Sequence, residues 1–200
     1  MNNGNNTIGK YNATTGATIN ASFISGLNSP FFLTVSGSDL FVVNNGSNRI
    51  GKYDAATGAA INASFITGLS NPFSVAVSGS DLFVSNNQPT NTIGKFNAIT
   101  GATINASFIS GLDHPAALAV SGSNLFVVFN GAFPNSIGEY DASTGAVVNA
   151  TLVSGLNNPL GLVVVSSAAI PEPSTYAVLV GFCALSVALL RRRWVQRERT

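Results

Sequence analysis

The chain has 200 residues, of which only 8% are charged, and its formal net charge is +1 at pH 7. An average soluble protein has about 25% charged residues; here Asn, Ser, Thr and Gly supply the polarity, and they suit turns and sheet surfaces. Residues 1–168 hold four Lys or Arg against six Asp or Glu, whereas residues 169–200 hold five Arg against two Glu. Because nucleic-acid binding needs a clustered basic face, this acidic body argues against a nucleic-acid partner.

Cysteine and histidine are each represented once, by Cys183 and His114. One cysteine excludes an intramolecular disulfide and a cysteine-based zinc cluster, and its place inside an apolar run predicts a packing role. His114 occupies the variable position before a proline, where the other units carry Ser29, Asn71 and Asn158. A loop residue is therefore predicted there rather than a catalytic base.

An internal repeat organises the chain up to about residue 165. The segment TGATINASFISGLNSP at 15–30 returns, with small changes, at 57–72, 100–115 and 144–159. The prolines that close these segments are 42, 43 and 44 residues apart, which is a period typical of repeat architectures. The units lie near 8–49, 50–92, 93–136 and 137–165.

Each unit contains four short strand-like pieces, and the second unit shows them clearly. They are FFLTVS at 31–36, DLFVV at 39–43, RIGKY at 49–53 and AAINASFI at 59–66. Each piece is rich in Val, Ile, Phe or Thr and is bounded by turn residues. Asp or Asn begins the five-residue turn before the last piece, and a Gly that tolerates positive φ ends it. No sustained helical period occurs before residue 170.

Four antiparallel strands per repeat predict the blade of a β-propeller, in an all-β fold. A β-solenoid is the alternative, although its coils are usually shorter and parallel, whereas the tight turns here indicate hairpins. The stretch NPFSVAVSGSDLFVSNNQPTNTIGKFN at 71–97 resembles an NHL-type repeat, and the resemblance covers about 1–165. It implies NHL-like propeller blades.

The register predicts about four blades in an incomplete ring. Residues 2–8 align with 44–50, so the chain enters at the end of a second strand, and LGLVVV at 160–165 matches only the first strand of a further blade. Three complete blades are expected, with a fourth assembled from both ends. No secretory signal follows Met1, so we expect a fragment or a start placed too late in a longer exported protein.

Length varies in only one loop, the one between the second and third strands of each unit. It takes seven residues at 43–49, eight at 85–92 and nine at 128–136. Such loops lie together on one face of a repeat array, which is often the binding face. Harmless drift in length is the alternative interpretation.

The composition changes at Ile170. A linker at 167–175 contains Pro171, Glu172 and Pro173, which stop strand pairing. The uncharged run 176–190 is somewhat short for a membrane span, but Arg191, Arg192 and Arg193 follow it, and such clusters stay cytoplasmic. One C-terminal transmembrane helix within 176–200 is therefore predicted, with the repeat domain outside.

This order of Pro-Glu-Pro, short apolar helix and Arg cluster resembles the PEP-CTERM sorting signal of Gram-negative bacteria. The resemblance implies an exosortase as partner, which is a membrane protease-transpeptidase, and processing near the Pro-Glu-Pro motif. It also implies a transient stay in the inner membrane and a final place on the cell surface or in the extracellular matrix. A plain single-pass anchor is the alternative.

Two columns of equivalent residues could converge in a ring, and both are interpreted as solvated strand or turn positions. One column is Lys10, Lys52, Lys95 and Glu139, and the other is Asp39, Asp81 and Asn124. The sequences Asn-Ala-Ser or Asn-Ala-Thr at 12–14, 20–22, 62–64, 105–107 and 149–151 are formal glycosylation sites. They are interpreted as solvent-facing strand residues.

The leading hypothesis is a non-catalytic surface or matrix protein that needs no cofactor or metal, whose propeller binds protein or surface polysaccharide. A propeller hydrolase or lyase is the rival. The NHL resemblance implies some propeller lyases, but their histidine and acid pairs have no counterpart here, and no P-loop, HExxH or Gly-x-Ser-x-Gly motif occurs. Repeats that only space or fill a matrix are the third possibility.

Overall fold

The structure is a computed structural model that describes residues 2–131 and 135–165. Within these ranges the chain forms fourteen strands and two short 3-10 helices, Asn3–Asn5 and Asn45–Ser47. In chain order the strands are β1 Ile8–Tyr11, β2 Thr18–Ile24, β3 Pro30–Ser36, β4 Asp39–Asn44, β5 Arg49–Asp54, β6 Ala60–Ile66, β7 Pro72–Ser78, β8 Asp81–Asn86, β9 Thr92–Asn97, β10 Thr103–Ile109, β11 Pro115–Ser121, β12 Asn124–Phe129, β13 Asn135–Asp141 and β14 Val147–Leu156.

The strands form sequential antiparallel sheets, and each four-stranded sheet combines the last two strands of one sequence unit with the first two of the next. Sheet 1 is β1–β2, and sheets 2, 3 and 4 are the four-stranded meanders β3–β6, β7–β10 and β11–β14. The four pieces expected in the second unit are confirmed as β3 to β6, with bounds shifted by at most one residue. The all-β prediction and the three complete four-stranded sheets are also confirmed.

The second strand of sheet 2 carries a continuous apolar run, Leu40–Val43, because neighbouring sheets cover both of its faces. In β4, Phe41 and Val43 pack with Val75 and Leu82 of sheet 3, whereas Leu40 packs with residues of sheet 1 on the other side. Successive side chains of a strand point to opposite faces, so a continuous apolar run feeds two cores. A third core of the same kind joins sheets 3 and 4.

The outermost strand of each sheet is exposed and irregular. In sheet 2, Lys52 is opposite Asn62 and Ile50 is opposite Ile66, so extra residues of β6 bulge from the ladder. Asn62 Oδ1 accepts a hydrogen bond from the Ser64 N–H at 3.0 Å, which supports this bulge. Bulges of this kind protect a sheet edge from pairing with another chain. All five formal glycosylation sites lie at exposed residues; four lie in strands, as predicted, and the one at 12–14 lies in a turn.

One strand prediction is wrong. Residues 160–165 form no strand, and no pairing between them and β1 or β2 is present in the described residues. Leu162 packs against Ala116 and Ala117, but Leu160 and Val163 are 52% and 81% exposed. An apolar run forms a stable strand only where another strand satisfies its backbone groups, and the segment has no such neighbour here.

The predicted sorting tail lies outside the described residues. This holds for the linker 167–175, for the predicted transmembrane helix and for Pro171, Glu172, Pro173, Arg191, Arg192 and Arg193. Within residues 2–131 and 135–165, no helix has the length and apolarity that a membrane crossing requires.

Candidate functional site

The two columns of equivalent residues meet as pairs on adjacent strands. Lys52 Nζ lies 2.8 Å from Asp39 Oδ2 in sheet 2, and Lys95 Nζ lies 2.9 Å from Asp81 Oδ2 in sheet 3. In sheet 4 the charge arrangement changes, and the Asn124 side-chain amide donates to Glu139 Oε1 at 2.6 Å.

The paired lysines also reach the next sheet. Lys52 Nζ donates to the Ala98 carbonyl at 3.4 Å, and Lys95 Nζ donates to the Ala142 carbonyl at 3.2 Å. Each ammonium lies over two phenylalanine rings, at 5.2 and 5.5 Å from the ring centroids for Lys52 and at 5.0 and 5.5 Å for Lys95. Such cation–π contacts gain strength when water is removed. The lysines therefore join neighbouring sheets.

The interpretation of these lysines as solvated is wrong. Lys52 and Lys95 are each 8% exposed, because the neighbouring sheet covers the strand face on which they lie. Lys10 of sheet 1 is half-buried; it donates to the Ala56 carbonyl at 3.0 Å and lies 4.8 Å from the Phe23 ring centroid. The three lysines of the column thus make inter-sheet contacts, whereas Glu139 contacts Asn124 of its own sheet.

The five-residue turn that receives each lysine is ordered by its first residue. Asp54 Oδ1 accepts hydrogen bonds from the Thr57 hydroxyl and from the N–H groups of Ala56 and Thr57. The Thr57 side-chain bond, followed by its backbone bond, lowers the pKa of the Asp54 carboxyl. The backbone N–H and hydroxyl of Thr144 lower the pKa of Asp141 in the same way. Asn12 and Asn97 fill this position in sheets 1 and 3.

The opposite edge of the sheets carries the loops that vary in length. We call it the loop edge; it comprises the loops 45–48 and 87–91 and the linkers 25–29, 67–71 and 110–114. The residue before each proline lies in the left-handed region, and its carbonyl accepts an N–H from the adjacent loop: Asn45 to Ser29 at 3.2 Å and Asn87 to Asn71 at 3.1 Å. Asn45 Nδ2 also donates to Asn71 Oδ1 at 2.7 Å, so the two fully described loops contact the same linker, as the predicted clustering requires.

His114 lies at this loop edge, as predicted. Its Nδ1 is 2.6 Å from Asp113 Oδ1, and its Nε2 contacts the side-chain amide of Gln88 on the neighbouring loop. We did not expect this histidine–carboxylate contact from the sequence. The His114 and Asp113 side chains are 32% and 53% exposed. No group of three or more His, Cys, Asp or Glu side chains in the described ranges could hold a metal ion.

A pocket of about 230 Å³ lies at the loop edge of sheet 3. It is bounded by the linker from sheet 2, by the loop between β8 and β9 and by the bulge of β10. Polar and apolar atoms share its wall about equally: hydroxyl side chains and one amide lie beside two large apolar side chains, and no charged residue lines it. The lining residues are Thr67, Gly68, Leu69, Ser70, Asn86, Thr90, Thr92, Phe96, Thr103, Ala106 and Ser107.

Two residue differences between sheets 2 and 3 explain why the pocket is open in sheet 3. In sheet 2, the Arg49 side chain spans the equivalent space and donates from Nη1 to Ser64 Oγ at 3.1 Å. Burial raises the pKa of the Tyr53 hydroxyl there, against the lowering effects of Asn44 and Arg49. The equivalent residues of sheet 3 are the shorter Thr92 and the hydroxyl-free Phe96.

The aromatic ring at this position is held against the strand by a glycine. A Cβ at Gly94 would lie 2.7 Å from Phe96 Cε2, and one at Gly51 would lie 2.6 Å from Tyr53 Cε2. The glycine lets the ring fold back over its own strand, where Phe96 belongs to the core between sheets 2 and 3 and also lines the pocket. Comparing equivalent positions along the repeat would have revealed the pocket residues, which we did not single out from the sequence.

Comparisons with known proteins support the fold. No protein-family model and no curated protein matches the chain. A chain of the nidogen–laminin complex is 13% identical, with a TM-score of 0.66 over 78% of this chain and 62% of that one. Hydrazine synthase of Kuenenia stuttgartiensis is 23% identical, with a TM-score of 0.54 over 70% of this chain and 38% of that one. The computationally designed Ika4 protein is 14% identical, with a TM-score of 0.52 over 70% and 81%.

The first two comparisons cover only part of the related molecules, since this chain spans 62% and 38% of their length. At these identities the likeness concerns the fold alone. Together with the repeated antiparallel meanders, it identifies the described part of the chain as a repeat domain of β-propeller type.

Proposed function

We propose that this chain is an exported, non-catalytic protein of a bacterial cell surface or extracellular matrix. Its propeller-type domain is a binding or structural module, and its loop edge is the surface that meets protein or surface polysaccharide. The observation that carries the binding role is the uncharged pocket at the loop edge, lined by hydroxyl and amide groups. Recognition surfaces in repeat proteins are commonly built from loops on a rigid scaffold.

The proposal assigns sorting to the C-terminal tail. Pro171, Glu172 and Pro173, the uncharged run 176–190 and the Arg191–193 cluster stand in the order of a PEP-CTERM signal. An exosortase-type enzyme of the inner membrane would recognise them and release the repeat domain to the outside. Positive residues after an apolar run favour the cytoplasmic side, which is consistent with this orientation.

The intact mass of the processed protein tests the sorting role. The full chain is expressed behind a secretory signal, with and without an exosortase-type enzyme, and is extracted from the cell surface. We expect the mass to fall to that of a chain ending near Pro173 only when the enzyme is present. A Glu172→Ala variant should keep its full mass and stay with the membrane, whereas Glu198→Ala, beyond the Arg cluster, should be processed normally. Full-length wild-type protein in both strains would refute the assignment.

A further inference from the structure

We propose that the pocket of sheet 3 binds one uncharged sugar ring, as a unit of a neutral polysaccharide. This inference deepens the proposed binding role of the loop edge and rests on it, but it is independent of the sorting tail. Its basis is a difference between otherwise equivalent sheets: sheet 2 fills this place with its own side chains, and sheet 3 leaves it open.

The first argument comes from Asn86, which lines the pocket and is 5% exposed. Its counterpart Asn44 accepts the Asn28 N–H through Oδ1 at 3.3 Å. Among the described residues, Asn86 Oδ1 has no hydrogen-bond partner, and its amide nitrogen makes only a long 3.5 Å bond to Thr92 Oγ1. A buried acceptor without a partner costs about 1–3 kcal/mol. A ligand hydroxyl beside Asn86 would supply the donor that this oxygen lacks.

The second argument comes from the chemistry of the wall. Thr90, Thr92 and Ser107 line the pocket with hydroxyls, which both donate and accept hydrogen bonds. Sugar hydroxyls have the same double character, whereas a phosphate or carboxylate would need positive charge that the wall does not provide. Leu69 and Phe96 add apolar surface, which suits the C–H face of a sugar ring.

The third argument is size. The volume of about 230 Å³ lies just below the range of roughly 300–1,000 Å³ typical of sites for drug-sized ligands. One ring fits this volume better than a disaccharide. With few hydrogen bonds in a site that is partly open to water, we expect a dissociation constant for a single sugar on the order of millimolar.

The test is a titration of the isotope-labelled full chain with methyl glucoside, methyl galactoside and methyl mannoside, followed by amide chemical shifts. Binding of at least one of them should shift the amides of residues 67–70, 90–92 and 106–107. Glucuronic acid, which carries a charge, should bind more weakly than the best neutral sugar. Absence of shifts with all three neutral sugars, or shifts confined to other regions, overturns the proposal.

Variants built from the repeat itself supply the controls. Thr92→Arg with Phe96→Tyr places the side chains of sheet 2 in sheet 3, and we expect it to fold and to lose at least tenfold in sugar affinity. Ser107→Ala removes a single hydroxyl and should lose several-fold, so the test does not depend on the folding of the double variant. Unchanged affinity in either variant refutes the pocket.

The outcomes also separate this inference from the proposed function. If a neutral polysaccharide binds the wild type and the filled double variant equally well, the loop edge remains a binding surface but the pocket is not its site. If the mass experiment fails while the sugar titration succeeds, the sorting role falls and the sugar site stands.

Discussion

Replacement of Lys52 by methionine tests whether the buried lysines hold neighbouring sheets together. Methionine keeps most of the apolar length of the side chain and removes the ammonium group. The variant loses the 2.8 Å ion pair to Asp39, the bond to the Ala98 carbonyl and both ring contacts. We therefore expect a lower free energy of unfolding, with little change in the apolar core.

The magnitude follows from the exposure of each partner. Hydrogen bonds to charged groups contribute about 1.5–3 kcal/mol, and a desolvated cation–π contact contributes up to about 2 kcal/mol. The Asp39 side chain is 31% exposed, so solvent screens the ion pair, and the Ala98 bond is long. We take the lower half of these values and expect a loss of about 2 kcal/mol, or roughly 4–8 °C in Tm for a chain of this size.

Urea denaturation followed by circular dichroism measures this loss, provided that the m-value is unchanged. Lys10→Met is the matched control: Lys10 is half-buried, so its loss should be less than half as large. A double-mutant cycle with Asp39→Asn isolates the ion pair and should show coupling of about 1 kcal/mol. A loss below about 0.5 kcal/mol for Lys52→Met, as at ordinary surface sites, would refute the reasoning.

Two further predictions concern the five-residue turns. Gly58 and Gly16 are equivalent, with φ of 76° and 71°, but a Cβ at Gly58 would collide with the Phe23 carbonyl, whereas the described residues leave the space at Gly16 open. We expect Gly58→Ala to lose about 1–3 kcal/mol more than Gly16→Ala in urea denaturation; equal losses would contradict the contact. Folding lowers the pKa of Asp54 and Asp141, so their stabilisation is present above the unfolded pKa and is lost as pH falls through the folded pKa. An Asp54→Asn, Asp141→Asn variant should therefore lose less Tm than the wild type on acidification below pH ~4, and an equal or steeper loss would argue against this role.

The strands could be predicted from the sequence because the repeat presents the same alternation several times. Agreement among units fixed the bounds of β3 to β6 to within one residue, and the turn residues between them needed no tertiary information. The strand expected at 160–165 does not form, and the local sequence could not show this. Its residues are apolar like those of a first strand, but pairing depends on a neighbour that the local sequence does not describe.

The buried lysines and the pocket were harder to predict. Lys52 lies two residues after Ile50, so it shares the face of a fully buried residue, and that spacing was a usable signal. A lysine in an antiparallel strand nevertheless usually faces water, and only the position of the next sheet removes the water here. The pocket depends on residue differences at two equivalent positions, Arg49 against Thr92 and Tyr53 against Phe96. Such differences are missed when only the residues that the units share are compared.

The joints between sheets have a direction along the chain. In each joint a lysine of one unit meets a turn carbonyl of the following unit, 46 or 47 residues later. A unit therefore carries the donor for its successor and the acceptor for its predecessor. Duplication of a whole unit such as 50–92 would bring both halves of the joint with it, so the array could gain or lose copies by recombination without evolving a new interface. Selection for matching joints would then keep the units alike. This gives a physical reason for their near-identical sequences at the five-residue turn.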